Sequence, residues 1–221
     1  DLGLNMAPFH PTSGPLLIED NLRAIENEKV KAILTLQTPS RIVTQESGEI
    51  LFKKDALSGI ASFIASSRMT WDQVSHPGAS YQVTLNLIAG DEDKVLALLK
   101  RRTIHKDVYR GIVSDALARF LFSRLKKNPT RDDVMDLLTH LTFDISPDKA
   151  LSADKGQLMN GGILLSEINP HTFEAKRLSN LYLSGEVLDI DGVSGGYNLM
   201  FALYSGVQVA KSIIDKRCQL L

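Results

Sequence analysis

The sequence is poor in cysteine and has no long apolar segment. Its 221 residues include one cysteine, Cys218, which excludes an internal disulfide and a zinc site built from cysteines alone. We therefore expect a reducing, cytoplasmic environment. No apolar run approaches the roughly 20 residues of a membrane-spanning helix, and the N-terminus lacks the basic-then-apolar order of a signal peptide. We therefore expect neither a membrane partner nor export.

The sequence also lacks an excess of charge of one sign. It has 25 Lys and Arg against 26 Asp and Glu, for a formal net charge of -1. Nucleic-acid-binding domains usually carry a basic patch or stripe, and no block of Lys and Arg here is dense enough to follow a phosphate backbone. Nucleic acid is therefore not an expected partner, whereas a small-molecule substrate is. The apolar fraction of 43% and charged fraction of 23% are typical of a globular chain with one large or two small domains.

The first part of the chain has the alternating pattern of β-strands. Apolar and polar residues alternate over residues 29–55, with a predicted turn at Ser47 and Gly48, and the alternation returns over residues 81–88. Small and apolar residues at helical spacing predict one helix over residues 56–67. A β-rich unit with a single helix is the simplest fold for this part.

The pattern then changes to that of amphipathic helices. Helices are predicted over residues 91–102 and 106–127, and a third helix is predicted to begin at the capping residue Thr130. Asn128 and Pro129 separate the last two. Strands are predicted over residues 142–145, 162–168 and 181–188. A long final helix is predicted over residues 196–216.

These patterns divide the chain into three predicted regions. A β-rich region covers residues 1–89, a small helical subdomain covers residues 90–145, and a strand-and-helix region covers residues 146–221. The opening residues 1–6 have the pattern of a helix end that runs into a strand. We therefore expect the chain to be a fragment of a longer protein.

The strongest functional signal is the glycine-rich segment at residues 185–198, between a predicted strand and the last helix. Its four glycines let the backbone approach a ligand closely and adopt positive φ, and the helix start offers unpaired N–H groups at a positive dipole end. An anionic or electron-rich ligand would be stabilised there. A tight strand-to-helix connection that only caps the helix explains the segment equally well. The pair Gly161 and Gly162 has the same two explanations, close approach to a ligand or a turn.

Two other kinds of site are less favoured. Residues 192–196 match the G-x-S-x-G pattern of a serine hydrolase around Ser194, but that architecture needs a downstream histidine and the last histidine is His171. The five histidines have no metal-ligand spacing, and the carboxylates Glu186, Asp189 and Asp191 lack the EF-hand pattern. We therefore expect no metal, and these carboxylates are expected to accept hydrogen bonds or form turns.

Several motifs occur together in the order seen in one family. They resemble the C-terminal signature of the bacterial NAD(P)/FAD-dependent oxidoreductases, the NAD(FAD)-utilising dehydrogenases and aminoacetone oxidase-like flavoproteins. The sequence departs from the family pattern at residues 53–60, where the family's histidine and proline are absent. The matching motifs are Gly161-Gly162-Ile163, residues 167–170, residues 183–192 and residues 195–198, with further segments at residues 11–20 and 48–59.

The resemblance implies a mixed α+β and α/β fold. A β-rich domain and a small helical domain would be inserted into an FAD domain of the glutathione-reductase type, and this chain would hold both inserts and the last part of the FAD domain. Residues 1–8 would end the preceding FAD-domain segment. The G-x-G-x-x-G fingerprint that binds the ADP half of the cofactor is absent from the sequence, so the chain alone is expected to be inactive.

The resemblance also implies a function and a site. The complete protein would transfer hydride or electrons between a small organic substrate or NAD(P)H and FAD, and no catalytic side chain is assigned because the flavin supplies the chemistry. Gly185 and Glu186 would lie near the ribityl and pyrophosphate groups, residues 195–198 under the isoalloxazine, and residues 161–163 close to the ring. The alternative is a non-catalytic interaction or scaffold protein. The candidate cofactor-binding residues are Gly161, Gly162, Ile163, Gly185, Glu186, Asp191, Gly192, Gly195, Gly196, Tyr197 and Asn198.

Overall fold

The computed structural model describes residues 2–146 and 155–218, which belong to two compact units. The terminal unit consists of Asp1–Ser13 and Ser152–Leu221, and the barrel unit of Gly14–Leu151. Residues 147–154, at the start of the predicted third region, lie outside the described residues. The elements in chain order are β1 (Met6–Thr12), β2 (Leu16–Leu17), β3 (Lys29–Thr38), β4 (Arg41–Lys53), β5 (Ala56–Ser58), α1 (Ile60–Ser75), β6 (Gln82–Asn86), α2 (Glu92–Lys100), α3 (Asp115–Arg124), α4 (Arg131–Thr139), β7 (Leu141–Asp144), β8 (Leu158–Ile163) and α5 (Tyr197–Cys218).

The barrel unit is built on a six-stranded antiparallel sheet in the order β2-β5-β4-β3-β6-β7. The two edge strands are joined by an antiparallel bridge between Ile18 and Ile145. The Ser146 N–H donates to the Leu17 carbonyl at 3.0 Å, and the Glu19 N–H donates to the Asp144 carbonyl at 3.1 Å. The sheet therefore closes on itself, which satisfies backbone groups that an open edge would expose.

Helix α1 packs on β4, and this contact explains a glycine that the sequence pattern misassigns. The predicted turn at Ser47 and Gly48 is wrong, because both residues lie inside the continuous strand β4. A Cβ on Gly48 would lie 3.2 Å from the Cβ of Ala61 in α1. The glycine thus permits close helix–strand packing. The helix begins after Gly59, later than predicted, because residues 56–58 form β5.

The helices α2, α3 and α4 share one apolar core with the sheet. The helix predicted over residues 106–127 is wrong in its first half, since residues 101–114 form a loop in which Gly111 has φ +74. Ser114 caps α3 through the Leu117 N–H at 3.3 Å. The predicted start at Thr130 is confirmed by a capping box with Asp133. The structure does not separate a helical subdomain at residue 90, because these helices and the strands bury the same core.

The terminal unit pairs β1 with β8 in an antiparallel ribbon. The strand predicted over residues 162–168 ends at Ile163 and gives way to a 3₁₀ turn at Leu165–Glu167, and the strand predicted over residues 181–188 contains the 3₁₀ turn Gly185–Val187. Gly185 has φ +70, which an extended strand does not allow. The mixed α/β class is confirmed, while the glutathione-reductase-type arrangement stays a prediction.

A buried carboxylate joins the two chain segments of the terminal unit. Glu167 is 7% exposed and accepts hydrogen bonds from Arg177 Nη2 at 2.6 Å and from Asn5 Nδ2 at 2.7 Å. The Arg177 guanidinium, helped by Asn5, holds the pKa of the Glu167 carboxyl below its ordinary value. This ion pair therefore stabilises the fold at neutral pH and is lost as the pH falls and the carboxyl gains a proton.

The final helix α5 confirms the predicted helix over residues 196–216 within two residues at either end. Apolar side chains are exposed along this helix, including Leu199, Leu203 and Val207, and its buried residue in the described part of the chain is Ser205. No helix of the described residues is long and apolar enough to cross a bilayer.

Candidate functional site

The glycine-rich segment is anchored to α5 at its first residue. The buried Gly185 N–H donates to Ser205 Oγ at 3.0 Å, and Ser205 Oγ donates to the Ala202 carbonyl at 3.1 Å. A Cβ on Gly185 would lie 3.5 Å from the Cβ of Ala202. Gly185 therefore fixes the segment against the second turn of the helix.

A second anchor closes the loop that leads into α5. The Gly192 N–H donates to Asn198 Oδ1 at 2.7 Å, and Asn198 Nδ2 donates to the Gly192 carbonyl at 2.9 Å. One amide side chain thus pairs with both backbone groups of one residue. A Cβ on Gly192 would lie 3.1 Å from the Cβ of Tyr197, so the loop is compact.

Inside the loop that Gly192 and Asn198 close, two consecutive glycines leave the backbone without side chains. Gly195 and Gly196, which we call the glycine ledge, have φ +131 and +96, a region that favours glycine. A Cβ on Gly196 would meet no atom within 4 Å, and one on Gly195 would meet only Tyr197 Cε2 at 3.9 Å. The ledge is exposed and stands immediately before the first turn of α5.

The surroundings of the ledge leave room for a planar, electron-rich cofactor, and that role stays a prediction. Its positive φ values require glycine, and the missing side chains leave open space beside the backbone. The first N–H groups of a helix lack intrahelical acceptors, and the positive end of the helix dipole favours negative charge. A flat ring can therefore approach the backbone here, with the N-terminus of α5 beside it.

The glycines Gly161 and Gly162 are in a different situation. A Cβ on Gly161 would lie 2.1 Å from the Pro8 carbonyl oxygen, and a Cβ on Gly162 would lie 2.6 Å from the Val187 carbonyl oxygen. The chain itself fills the space beside both residues, which gives them a packing reason. Ile163 packs against the small apolar cluster of Ile168, Phe173 and Leu188. Their role toward a cofactor stays a prediction.

The acidic residue Glu186 of the segment is hydrogen-bonded within the chain. Glu186 Oε1 accepts the Met159 N–H at 2.8 Å, and Asp191 is half-buried. In residues 2–146 and 155–218 no group of three or more His, Cys, Asp or Glu side chains is arranged to hold a metal ion. The hydrogen bond of Glu186 agrees with the predicted acceptor role.

Ser194, the serine of the hydrolase pattern, is hydrogen-bonded to another serine. Its hydroxyl pairs with the hydroxyl of Ser13, a buried residue with φ +54. Ser13 and Ser205 were not predicted from the sequence, because each meets the glycine-rich segment from a distant part of the chain. The hydroxyl of Ser194 thus serves to hold the loop that carries the ledge.

Replacing Asn198 tests whether the closed loop supports the ledge. Asn198→Ala removes both hydrogen bonds to Gly192, each worth about 0.5–1.5 kcal/mol. We expect the affinity of the complete protein for flavin to fall about tenfold, as measured by titration of that protein with FAD. Asn198→Asp keeps the acceptor and loses the donor, so its affinity should be intermediate. Equal affinity in all three proteins would show that the loop does not support the cofactor.

Known proteins resemble this chain over most of its length. A family model described as HI0933-like protein Rossmann domain matches residues 12–212. A ribosomal RNA dihydrouridine synthase of Escherichia coli is 27% identical over 229 residues, which cover 96% of this chain and 54% of that protein. A ribosomal RNA dihydrouridine synthase of Haemophilus influenzae is 29% identical over 119 residues, 54% of this chain and 28% of that protein.

A further relative acts on a different class of molecule. A 3-dehydro-bile acid delta(4,6)-reductase of Clostridium scindens is 36% identical over 63 residues, which cover 28% of this chain and 15% of that protein. The chain therefore spans about half the length, or less, of these curated relatives.

Proposed function

The chain belongs to the family of HI0933-like protein Rossmann domains, a family of flavoprotein oxidoreductases, and from this premise we propose that the protein is an FAD-dependent reductase of carbon–carbon double bonds conjugated to a carbonyl group. The single observation that carries the proposal is the glycine ledge, an exposed strip of side-chain-free backbone at the N-terminus of a 22-residue helix.

The names of the relatives support the reaction class. Dihydrouridine is a uridine whose ring double bond, conjugated to a carbonyl group, has taken up two hydrogens. A delta(4,6)-reductase of a 3-dehydro-bile acid likewise saturates a double bond conjugated to a ketone. Both reactions add a hydride to one carbon and a proton to the other, which is chemistry that a flavin performs.

In this proposal, FAD bound to the complete protein would supply hydride transfer between NAD(P)H and the substrate. Each turnover consumes one NAD(P)H and one proton and adds two hydrogens across the double bond. Gly195 and Gly196 would let the backbone lie against the ring, and the N-terminus of α5 would stabilise negative charge on it. Asn198 and Ser194 hold the loop in place through Gly192 and Ser13.

The first test is a visible absorption spectrum of the protein expressed from its complete gene, with the 221-residue chain measured beside it. We expect a flavin spectrum in the complete protein that NADH or NADPH bleaches without oxygen. The colour should return when a small enone such as cyclohexenone, or a uridine-containing RNA, is added. A colourless protein that does not take up added FAD would instead support the non-catalytic interaction protein.

A further inference from the structure

The loop between α2 and α3 concentrates positive charge in a chain whose net charge is -1. Residues 100–110 contain five Lys and Arg residues against one acidic residue, Asp107. We call this segment the basic loop. Four of its cationic side chains belong to exposed residues, and these are Lys100, Arg101, Lys106 and Arg110.

The basic loop is held firmly despite its irregular backbone. Val108 is 2% exposed and Tyr109 is fully buried, with its hydroxyl donating to the Val134 carbonyl at 3.2 Å. Arg102 Nη1 donates to the carbonyls of Val108 and Arg110 at 2.8 and 2.7 Å. The loop is therefore anchored at its centre, and the cations on either side of Val108 and Tyr109 are presented from a fixed backbone.

The cations surround a recess in the surface. Arg102, His105 and Arg110 line a cavity of about 400 Å³, in which Asp107 is the one acidic lining residue. Arg131, the first residue of α4, lies beside the end of α2, because its Nε donates to the Leu99 carbonyl at 3.3 Å. Positive charge thus continues from the loop to the start of α4.

Structural roles account for only part of this charge. The dipole of α2 favours a cation in its last turn, such as Lys100, but Lys106 and Arg110 lie beyond the helix. Elsewhere in the barrel unit Arg41 pairs with Asp72, Lys29 with Glu49 and Lys126 with Asp133. No carboxylate of the described residues lies within ion-pair distance of the five Lys and Arg side chains of the basic loop.

We propose that the basic loop is a docking surface for the phosphate backbone of an RNA substrate. The inference rests on the proposed function, because reduction of a uracil in RNA is one reaction of that class and two relatives are ribosomal RNA dihydrouridine synthases. The match in charge favours a polyanion. The balanced net charge, from which no nucleic-acid partner was expected, averages over this local excess at residues 100–110.

The test measures RNA binding by the 221-residue chain without flavin. A short labelled oligouridylate is titrated with protein at several salt concentrations, using fluorescence anisotropy. Lys106→Ala combined with Arg110→Ala should weaken binding roughly 10- to 30-fold near 0.1 M salt. The slope of log K against log salt should fall in magnitude by about 1.4, because each lost phosphate contact contributes roughly 0.7. The matched control combines Lys29→Ala with Lys54→Ala, which removes the same charge from the same unit and should leave both values nearly unchanged.

Three results would overturn the proposal. One is equal weakening by the two double variants, the second is no measurable binding of the oligouridylate by the unaltered chain, and the third is stronger binding to vesicles of anionic lipid than to RNA. Equal thermal unfolding midpoints of the variants exclude misfolding as the cause of a loss. Since the assay needs no flavin, its failure leaves reduction of a small enone untouched, and a failure to hold FAD leaves the binding result standing.

Discussion

Gly196→Val is expected to abolish flavin retention while the protein remains folded. Apart from the two neighbouring residues, no atom lies within 4 Å of the Cβ position of Gly196, so the added Cβ has open space beside it. The valine side chain would fill the space that a flavin ring needs beside the backbone. The cost to folding is confined to placing a β-branched residue at φ +96, about 1–3 kcal/mol.

A matched control separates that strain from the loss of the ligand. Gly78 also has a positive φ, +81, and an open Cβ position, but it belongs to the barrel unit. Gly78→Val should therefore show a similar loss of stability and ordinary flavin content. The measurement is flavin absorbance per protein after gel filtration of the complete protein, with thermal unfolding in parallel. If both variants retain flavin equally, the ledge does not contact the cofactor.

Elements with local signals were predicted well from the sequence. The final helix was placed within two residues, and the start of α4 was found because Thr130 and Asp133 form a capping box from neighbouring residues. Such signals involve contacts a few residues apart. The pattern failed at Gly48, where a helix packs closely on the strand. It also failed over residues 106–114, where the buried side chains of Val108 and Tyr109 anchor a loop.

The candidate site was predicted in part for the same reason. The glycine-rich segment is recognisable because its glycines are close together in the sequence. The residues that support the segment are not recognisable from the sequence. Ser13 is 181 positions away from its partner Ser194, and nothing near Ser205 in the sequence indicates that it binds the Gly185 N–H. Composition therefore located the ledge, while the contacts that shape it required the fold.

The sequence left the same two explanations open for both glycine pairs, close approach to a ligand or a turn, and the structure gives the pairs different surroundings. Open space lies beside Gly195 and Gly196, whereas carbonyl oxygens of the chain lie beside Gly161 and Gly162. Substitutions at the two pairs should accordingly fail in different ways. Loss of flavin without unfolding is the expected result at the ledge, and unfolding is the expected result in β8.

Gly161→Ala is expected to destabilise the terminal unit by about 2–4 kcal/mol. The added Cβ would lie 2.1 Å from the Pro8 carbonyl oxygen and 3.1 Å from the Phe9 Cα, and backbone atoms of the paired strand β1 cannot turn away as a flexible side chain does. The alanine must also adopt φ +100. Urea unfolding of the 221-residue chain measures the change.

Gly3→Ala distinguishes the clash from the strain. Gly3 lies in the same unit with φ +65, and nothing lies within 4 Å of its Cβ position. Only the backbone strain remains there, and about 1 kcal/mol is expected. If Gly161→Ala costs no more than Gly3→Ala, then β1 and β8 separate easily at this point. Packing would then not explain the glycine, and close approach of a ligand would be the remaining reason for it.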